Sequence, residues 1–233
     1  MNLAGTEFPL VNNRDMVKAM IESPFELVGS IPTDPKFYYR HEFTQYLSLE
    51  KELIYKGPMS TGIRKQPLPY GLTVYKGSKN MAVSRSFVDF IINSELSKQL
   101  KIWFLDTWAP DEHYIPTLVR TSVDFHNHVL QDHDLSKFRA KEGVIAPELV
   151  IRYTIFEEAA PDGWICGGRW QRWLCVFGFL NIPELYANHQ NHMIANKFDI
   201  SMDPIAIQCL EEKLVNATKK LTIRNQRSKD KNL

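Results

Sequence analysis

No stretch of this sequence approaches the ~18 consecutive apolar residues that a membrane-spanning helix needs. The opening, MNLAGTEFPL, has neither the basic nor the apolar region of a secretory leader. No cellular address is expected from the chain itself. Net charge is also lacking: 28 Lys and Arg face 27 Asp and Glu, a formal balance of +1. That balance excludes a strong global attraction to nucleic acid or to an anionic membrane, and leaves any anion recognition to local cations. Nor is there a bias toward disorder. Of 233 residues, 44% are hydrophobic and 24% charged, the composition of a globular chain with a substantial core.

Cysteine is scarce and odd in number, at three. Cys166 and Cys175 flank a turn containing Gly167 and Gly168, a spacing that suits a small loop disulfide, while Cys209 stands alone in IQCLEEKL. The same residues suit three buried thiols of a reduced protein equally well. Asn216, Ala217 and Thr218 form an N-glycosylation sequon, which has meaning only in a secretory lumen and otherwise is chance.

What the chain does have is WAPDEHY, Trp108 to Tyr114. Pro110 fits the first position of a helix, where a missing N–H costs nothing, and Asp111 and Glu112 follow in the first turn, where exposed N–H groups favour negative charge. Both acids could simply cap the helix. Glu112 is nevertheless the candidate general base, because two cations downstream, Arg172 in RWLCVFGF and Lys197 in MIANKFD, stand in apolar settings where a charge requires a partner.

Around this motif the pattern is mixed. An apolar opening turns at Pro9, and Asn12 and Asn13 cap a helix to about Ile21. Residues 23 to 70 are rich in Pro, Gly, Ser and Tyr, with FYYRHEF and ELIYKGP as short strands among loops. Leu72 to Tyr75 reads as a strand, Ser84 as the cap of a helix with Phe87, Phe90, Ile91 and Leu96 on one face, and Ser97 as the start of a second helix. Pro116 should shorten or kink the helix that WAPDEHY opens. LVIRYTIF (149–156) and RWLCVFGF read as strands, and NIPELYANHQNHMIANKFD as short helix and loop. Asp203 and Pro204 begin a last helix with Ile207, Leu210, Leu214, Ala217 and Leu221 as its apolar stripe. Residues 225–233 form a basic, flexible tail, leaving 1–224 as the folded part.

Two literal metal signals lie between Val123 and Arg139. His126, His128 and His133 could bind an ion, and Asp132, His133, Asp134 spells a DxD that would hold a divalent cation against a sugar nucleotide. A DxD of that kind should end a buried apolar strand, and only Val129 and Leu130 precede this one, so the segment reads as a solvated loop.

Five separated segments, NLAGTEFPL, GSKNMAVSRSFVDFI, WAPDEHYIPTLVR, RWLCVFGF and ANKFDISMDPIAIQCLEE, occur in the order seen in the core 2 and I-branching β-1,6-N-acetylglucosaminyltransferases. The chain resembles the C-terminal portion of that family's catalytic domain. The resemblance implies an α/β GT-A-like glycosyltransferase fold without its N-terminal nucleotide-binding half. It also implies a Golgi type II membrane protein acting on the luminal side, with no metal or other cofactor. The implied reaction is inverting transfer of GlcNAc from UDP-GlcNAc to a glycan hydroxyl, the partners being a UDP-sugar donor and a glycan acceptor, with no nucleic acid. A non-catalytic luminal glycan-binding or scaffold protein derived from the same family is the rival reading. A cytosolic metal-dependent protein built on the histidine cluster is a third.

Residue by residue, Glu112 matches the glutamate of the family's SPDE motif, its catalytic base, and Arg172 and Lys197 match the basic pair that contacts the donor diphosphate. If so, these three should converge on one cleft. Cys166 and Cys175 match a family disulfide, and Cys209 a cysteine whose partner lies in the N-terminal region. Tyr153 and Glu26 match acceptor-binding positions, Tyr153 as a ring that could stack on a sugar. The chain departs from the family at Ala4, where cysteine is usual, and at Glu7, where aspartate is usual. It also reads RYTIFE where core 2 enzymes read KWQYFE, so Ile155 cannot donate a hydrogen bond to the acceptor. Without the uridine-binding half, this chain alone is expected to hold UDP-sugar weakly and turn over little.

Overall fold

The computed structural model describes residues 1–22, 27–28, 30–47, 58–122, 139–140, 143–144, 151–188 and 192–230. They form two compact units, Met1–Asn2 with Pro24–Glu148, and Leu3–Ser23 with Leu149–Leu233. Both are mixed α/β.

The first unit is built on helices because its caps and apolar spacing are local. Ser84 accepts a hydrogen bond from Phe87 N and starts the helix Arg85–Asn93; Ser94 ends that helix and, accepting from Ser97 N, starts Glu95–Phe104. Phe87, Leu100 and Phe104 are buried with Leu118 and Val119 of the third helix, Tyr114–Thr121. Pro116 falls in the first turn of that helix, where no intrahelical N–H bond is lost, and the helix continues past it. Where one helix is expected from Pro110, a 3-10 turn, Pro110–Glu112, precedes the short helix Tyr114–Thr121. Four antiparallel strand pairs complete the unit: Leu27–Val28 with Met81–Ala82, Ile31–Pro32 with Tyr75–Lys76, Phe43–Tyr46 with Met59–Arg64, and Arg139–Ala140 with Gly143–Val144.

Several expected strands are displaced. FYYR is a 3-10 helix, Pro35–Arg40, begun by Asp34 accepting from Lys36 N with Pro35 behind it, a capping signal that outweighs the β propensity of the aromatics. The strand expected at Leu72 to Tyr75 lies at Tyr75–Lys76. ELIYKGP and the histidine and DxD signals of 126–134 lie outside the described residues, as does Glu26.

The second unit centres on a three-stranded sheet in which Ile194–Asn196 pairs antiparallel with Glu7–Pro9 and parallel with Arg152–Tyr153. Ile194–Asn196 was expected as loop. Its apolar run is too short to signal a strand, yet being paired on both sides it is the sheet's centre, with Ile194 and Ala195 buried. Of LVIRYTIF, Leu149 and Val150 lie outside the described residues, Arg152–Tyr153 is strand, and a 3-10 turn follows at Glu157–Ala159. A hairpin, Arg169–Gln171 with Leu174–Val176, is stapled by the Cys166–Cys175 disulfide, whose Cα atoms are 5.6 Å apart. Cys209 is free.

The helix Pro204–Asp230 starts as expected, with Asp203 accepting from Ala206 N at 3.1 Å, and runs through most of the segment read as a tail. Its Ala206 and Leu210 pack with Cys175, Phe177, Leu185 and Phe198 in the core. One buried ion pair crosses the sheet. Arg152 Nη2 donates to Glu7 Oε2 at 2.9 Å, with the two side chains 1% and 4% exposed. Glu7, one of the positions that departs from the family pattern, thus supplies a carboxylate to a core arginine.

Candidate functional site

In the first unit Glu112 ends a single 3-10 turn, Pro110–Glu112, which begins from Ala109 in the left-handed region at φ 51°. The carboxylate is one-third exposed and flanked by two cations, Arg40 Nη1 at 2.7 Å and Lys76 Nζ at 3.5 Å, both meeting Oε2. Those cations share a support. The ring of Phe37 lies 4.9 Å from the Arg40 guanidinium carbon and 5.1 Å from Lys76 Nζ. Backbone bonds knit the same segments: Gly77 N donates to Glu112 O and Trp108 N to Arg40 O, each at 2.8 Å.

Behind Glu112, His113 is fully buried, and its Nδ1–H donates to the Tyr75 carbonyl oxygen at 3.2 Å. Burial lowers its pKa from 6.5 to about 4 against the opposing effect of that bond, and repulsion from His41, Lys76 and Arg40 adds to the lowering. The ring of His41 lies 5.6 Å away, and its pKa is also lowered, by burial first and then by Lys65. Both imidazoles are neutral at pH 7. The sequence reading found Glu112 but not Arg40, Lys76 or His113. The one available signal was that His113 and Arg40 sit in or beside aromatic motifs; their pairing with Glu112 spans 72 residues in the case of Arg40.

The second unit carries the cations. Arg172 and Trp173 are the two loop residues of the hairpin, at φ 52° and 60°. Two consecutive positive values are the signature of a tight turn that Asn-Gly makes easily, and an L-residue there costs roughly 1–2 kcal/mol. The turn is held in place by Glu157 N donating to Trp173 O at 2.9 Å and by Cys175 N donating to Ile155 O at 3.0 Å. Lys197 follows the central strand, its carbonyl accepting from Phe177 N at 2.9 Å. Its pKa is lowered by burial, then by Arg172 and Arg169, with Asp199 opposing. Arg169 already pairs with Asp199 at 2.9 Å. Among the described residues neither Arg172 nor Lys197 has a carboxylate within ion-pair distance. The sequence rule that each required a partner is thus unmet by the protein's own side chains.

Tyr153 does not have the placement expected of a sugar-stacking ring. It is 9% exposed, stacks on Phe177 at 5.7 Å and 17°, and has His192 at 5.1 Å. Its hydroxyl donates to Glu184, which also accepts from Trp164 Nε1 at 2.8 Å. Burial pushes its pKa up, and Glu184 adds to that. Asn216 of the sequon is exposed on the last helix, where Thr218 Oγ1 donates to Leu214 O at 2.8 Å. Among the described residues no group of three or more His, Cys, Asp or Glu could hold a metal ion, and no helix is long and apolar enough to cross a membrane.

The described residues make a mixed α/β chain, and the comparisons give it a family. Residues 1–139 match the Core-2/I-Branching enzyme model, and the chain belongs to that family. It is 33% identical over 226 residues to the human protein beta-1,3-galactosyl-O-glycosyl-glycoprotein beta-1,6-N-acetylglucosaminyltransferase 3, covering 92% of this chain and 47% of that protein. To the corresponding transferase 4 of Danio rerio it is 30% identical over 219 residues, covering 92% of this chain and 48% of that protein. The chain spans about half the length of the curated relatives it matches.

Proposed function

We propose that this chain carries the base and the diphosphate-binding cations of an inverting β-1,6-N-acetylglucosaminyltransferase of GT-A-like architecture. It would move GlcNAc from UDP-GlcNAc to a glycan hydroxyl in the Golgi lumen. The observation that carries the reading is the Arg172 and Lys197 pair, two neighbouring cations without a carboxylate partner among the described residues. A diphosphate is the ligand that such a pair suits. As the bond from the anomeric carbon to the phosphate oxygen breaks, its electron pair passes to UDP, and two fixed cations offset the growing charge as a divalent ion would.

Glu112 takes the proton of the acceptor hydroxyl as its oxygen attacks the opposite face of the anomeric carbon. The carboxylate's partial exposure supports that role, and Arg40 and Lys76 hold it in position. The burial of Tyr153 and the presence of Ile155 favour an acceptor other than the core 1 disaccharide. The test is turnover of UDP-GlcNAc in chelator-containing buffer by the longest natural form of the protein. Glu112→Gln should lower turnover by about 10²- to 10⁴-fold with donor affinity kept, and Arg172→Asn should weaken donor binding. Unchanged turnover in Glu112→Gln would leave the non-catalytic binding protein as the better reading.

A further inference from the structure

Trp173 has no place in the chemistry just described. Its side chain is 68% exposed at the tip of the 169–176 hairpin, and among the described residues its indole N–H has no partner. Trp103 and Trp164, by contrast, donate theirs to Gln66 O at 2.9 Å and Glu184 at 2.8 Å. An exposed aromatic by itself is ordinary. Two further observations make this one informative. Trp173 is held in the left-handed region together with Arg172, in a turn where Asn-Gly would form without strain, so the local backbone does not account for these two side chains. Strain of this kind is concentrated at ligand sites. The residue beside it, Arg172, has no carboxylate within ion-pair distance among the described residues, and the turn's position is fixed by the Glu157 N to Trp173 O bond rather than by the ring.

We propose that Trp173 is a specificity-determining residue of the donor site, offering the face of its indole to the hexose that is joined to the phosphate held by Arg172 and Lys197. This rests on the reading of those cations as a diphosphate site. The ligand class follows from reach. Trp173 follows Arg172 in the same two-residue turn, with Cα atoms about 3.8 Å apart, so a group joined directly to a phosphate on Arg172 is within reach of the indole. A hexosyl phosphate meets that condition, its ring beginning one oxygen from phosphorus, whereas a nucleobase is set off by a ribose and the far phosphate. The axial C–H groups of a pyranose present an apolar face that an aromatic ring covers, while its hydroxyls stay in water.

The experiment uses the full chain with three small probes: N-acetylglucosamine 1-phosphate, inorganic pyrophosphate and uridine monophosphate. Proton saturation transfer from the protein's aromatic resonances reads contact with the hexose or the uracil, and phosphorus line broadening reads phosphate binding, both of which work at millimolar affinity. The variants are Trp173→Gly, which suits the left-handed turn and so keeps the hairpin, Trp173→Phe, which keeps an aromatic face, and Arg172→Asn, which suits the turn and removes the charge. Thermal melting confirms that each is folded.

For the wild type, saturation of the hexose protons is expected. In Trp173→Gly it should fall about fivefold, with affinity for the sugar phosphate reduced by about five- to tenfold and pyrophosphate broadening unchanged. Trp173→Phe should restore most of it, and Arg172→Asn should weaken binding of all three probes. Hexose contact that persists in Trp173→Gly while Arg172→Asn abolishes phosphate binding would overturn the role of Trp173 and leave the diphosphate site standing. Saturation of the uracil instead of the hexose would overturn it in the same way. Phosphate binding that Arg172→Asn does not touch would overturn the diphosphate reading and, with it, this inference.

Discussion

Arg40 reaches Glu112 across 72 residues of sequence, Nη1 to Oε2, at 2.7 Å. The pair is partly buried, and the guanidinium is backed by the ring of Phe37, so the carboxylate is held in one place rather than swinging in solvent. Positioning of this kind matters because a base must meet its proton within hydrogen-bond reach.

Arg40→Met should therefore lower turnover by about tenfold, the loss of one charge-assisted bond, with the fold kept. The effect should be smaller than that of Glu112→Gln, since Lys76 still holds the carboxylate. Paired kinetic assays of the two variants check the order; equal losses would mean that Arg40 itself touches substrate.

Glu7→Gln should destabilise the second unit by about 3–5 kcal/mol. It removes the Glu7 carboxylate from beside the Arg152 guanidinium, which is 1% exposed in the core. The measurement is urea unfolding followed by far-ultraviolet dichroism. A loss below about 1 kcal/mol would show that the pair is replaced by water.

Replacing Cys166 and Cys175 by Ser together should cost about 2–3 kcal/mol, the loop-closure entropy of a crosslink with a sequence separation of 9. The hairpin that carries Arg172 depends on this link, so donor binding should weaken as well. Denaturant midpoints with and without reductant give the first effect, and donor titration the second.

Acid should destabilise the first unit before its carboxylates titrate. In the folded protein His113 has a pKa of about 4 against an ordinary 6.5. The unfolded chain therefore binds a proton below about pH 6.5 that the folded one refuses until about pH 4. Stability is complete above that window and is lost as pH falls through it, by about 2 kcal/mol from pH 7.5 to 5. His41, shifted the same way, adds to it. Thermal melts across this range should show the slope, and His113→Asn should flatten it.

Local signals were legible without coordinates. The caps at Ser84 and Asp203 act within three residues of themselves, and the apolar spacing of the helices repeats within a turn, although the second helix starts at Glu95, capped by Ser94, and not at Ser97. Family resemblance named Glu112, Arg172 and Lys197 and joined Cys166 to Cys175, and the disulfide is present. The same local reading erred at FYYR, because an Asp-Pro cap overrides aromatic β propensity.

By itself, then, the chain's pattern determined the helices begun by Ser84 and by Asp203 and Pro204, and the resemblance it carries joined Cys166 to Cys175 and marked the charged residues worth watching. Only tertiary structure made Ile194–Asn196 the central strand, set Glu7 against Arg152 from 145 residues away, placed Arg40 and Lys76 on Glu112, and buried the ring of Tyr153. Each of these is a pairing between distant segments, in which the free energy comes from burial and charge complementarity that neither segment possesses alone.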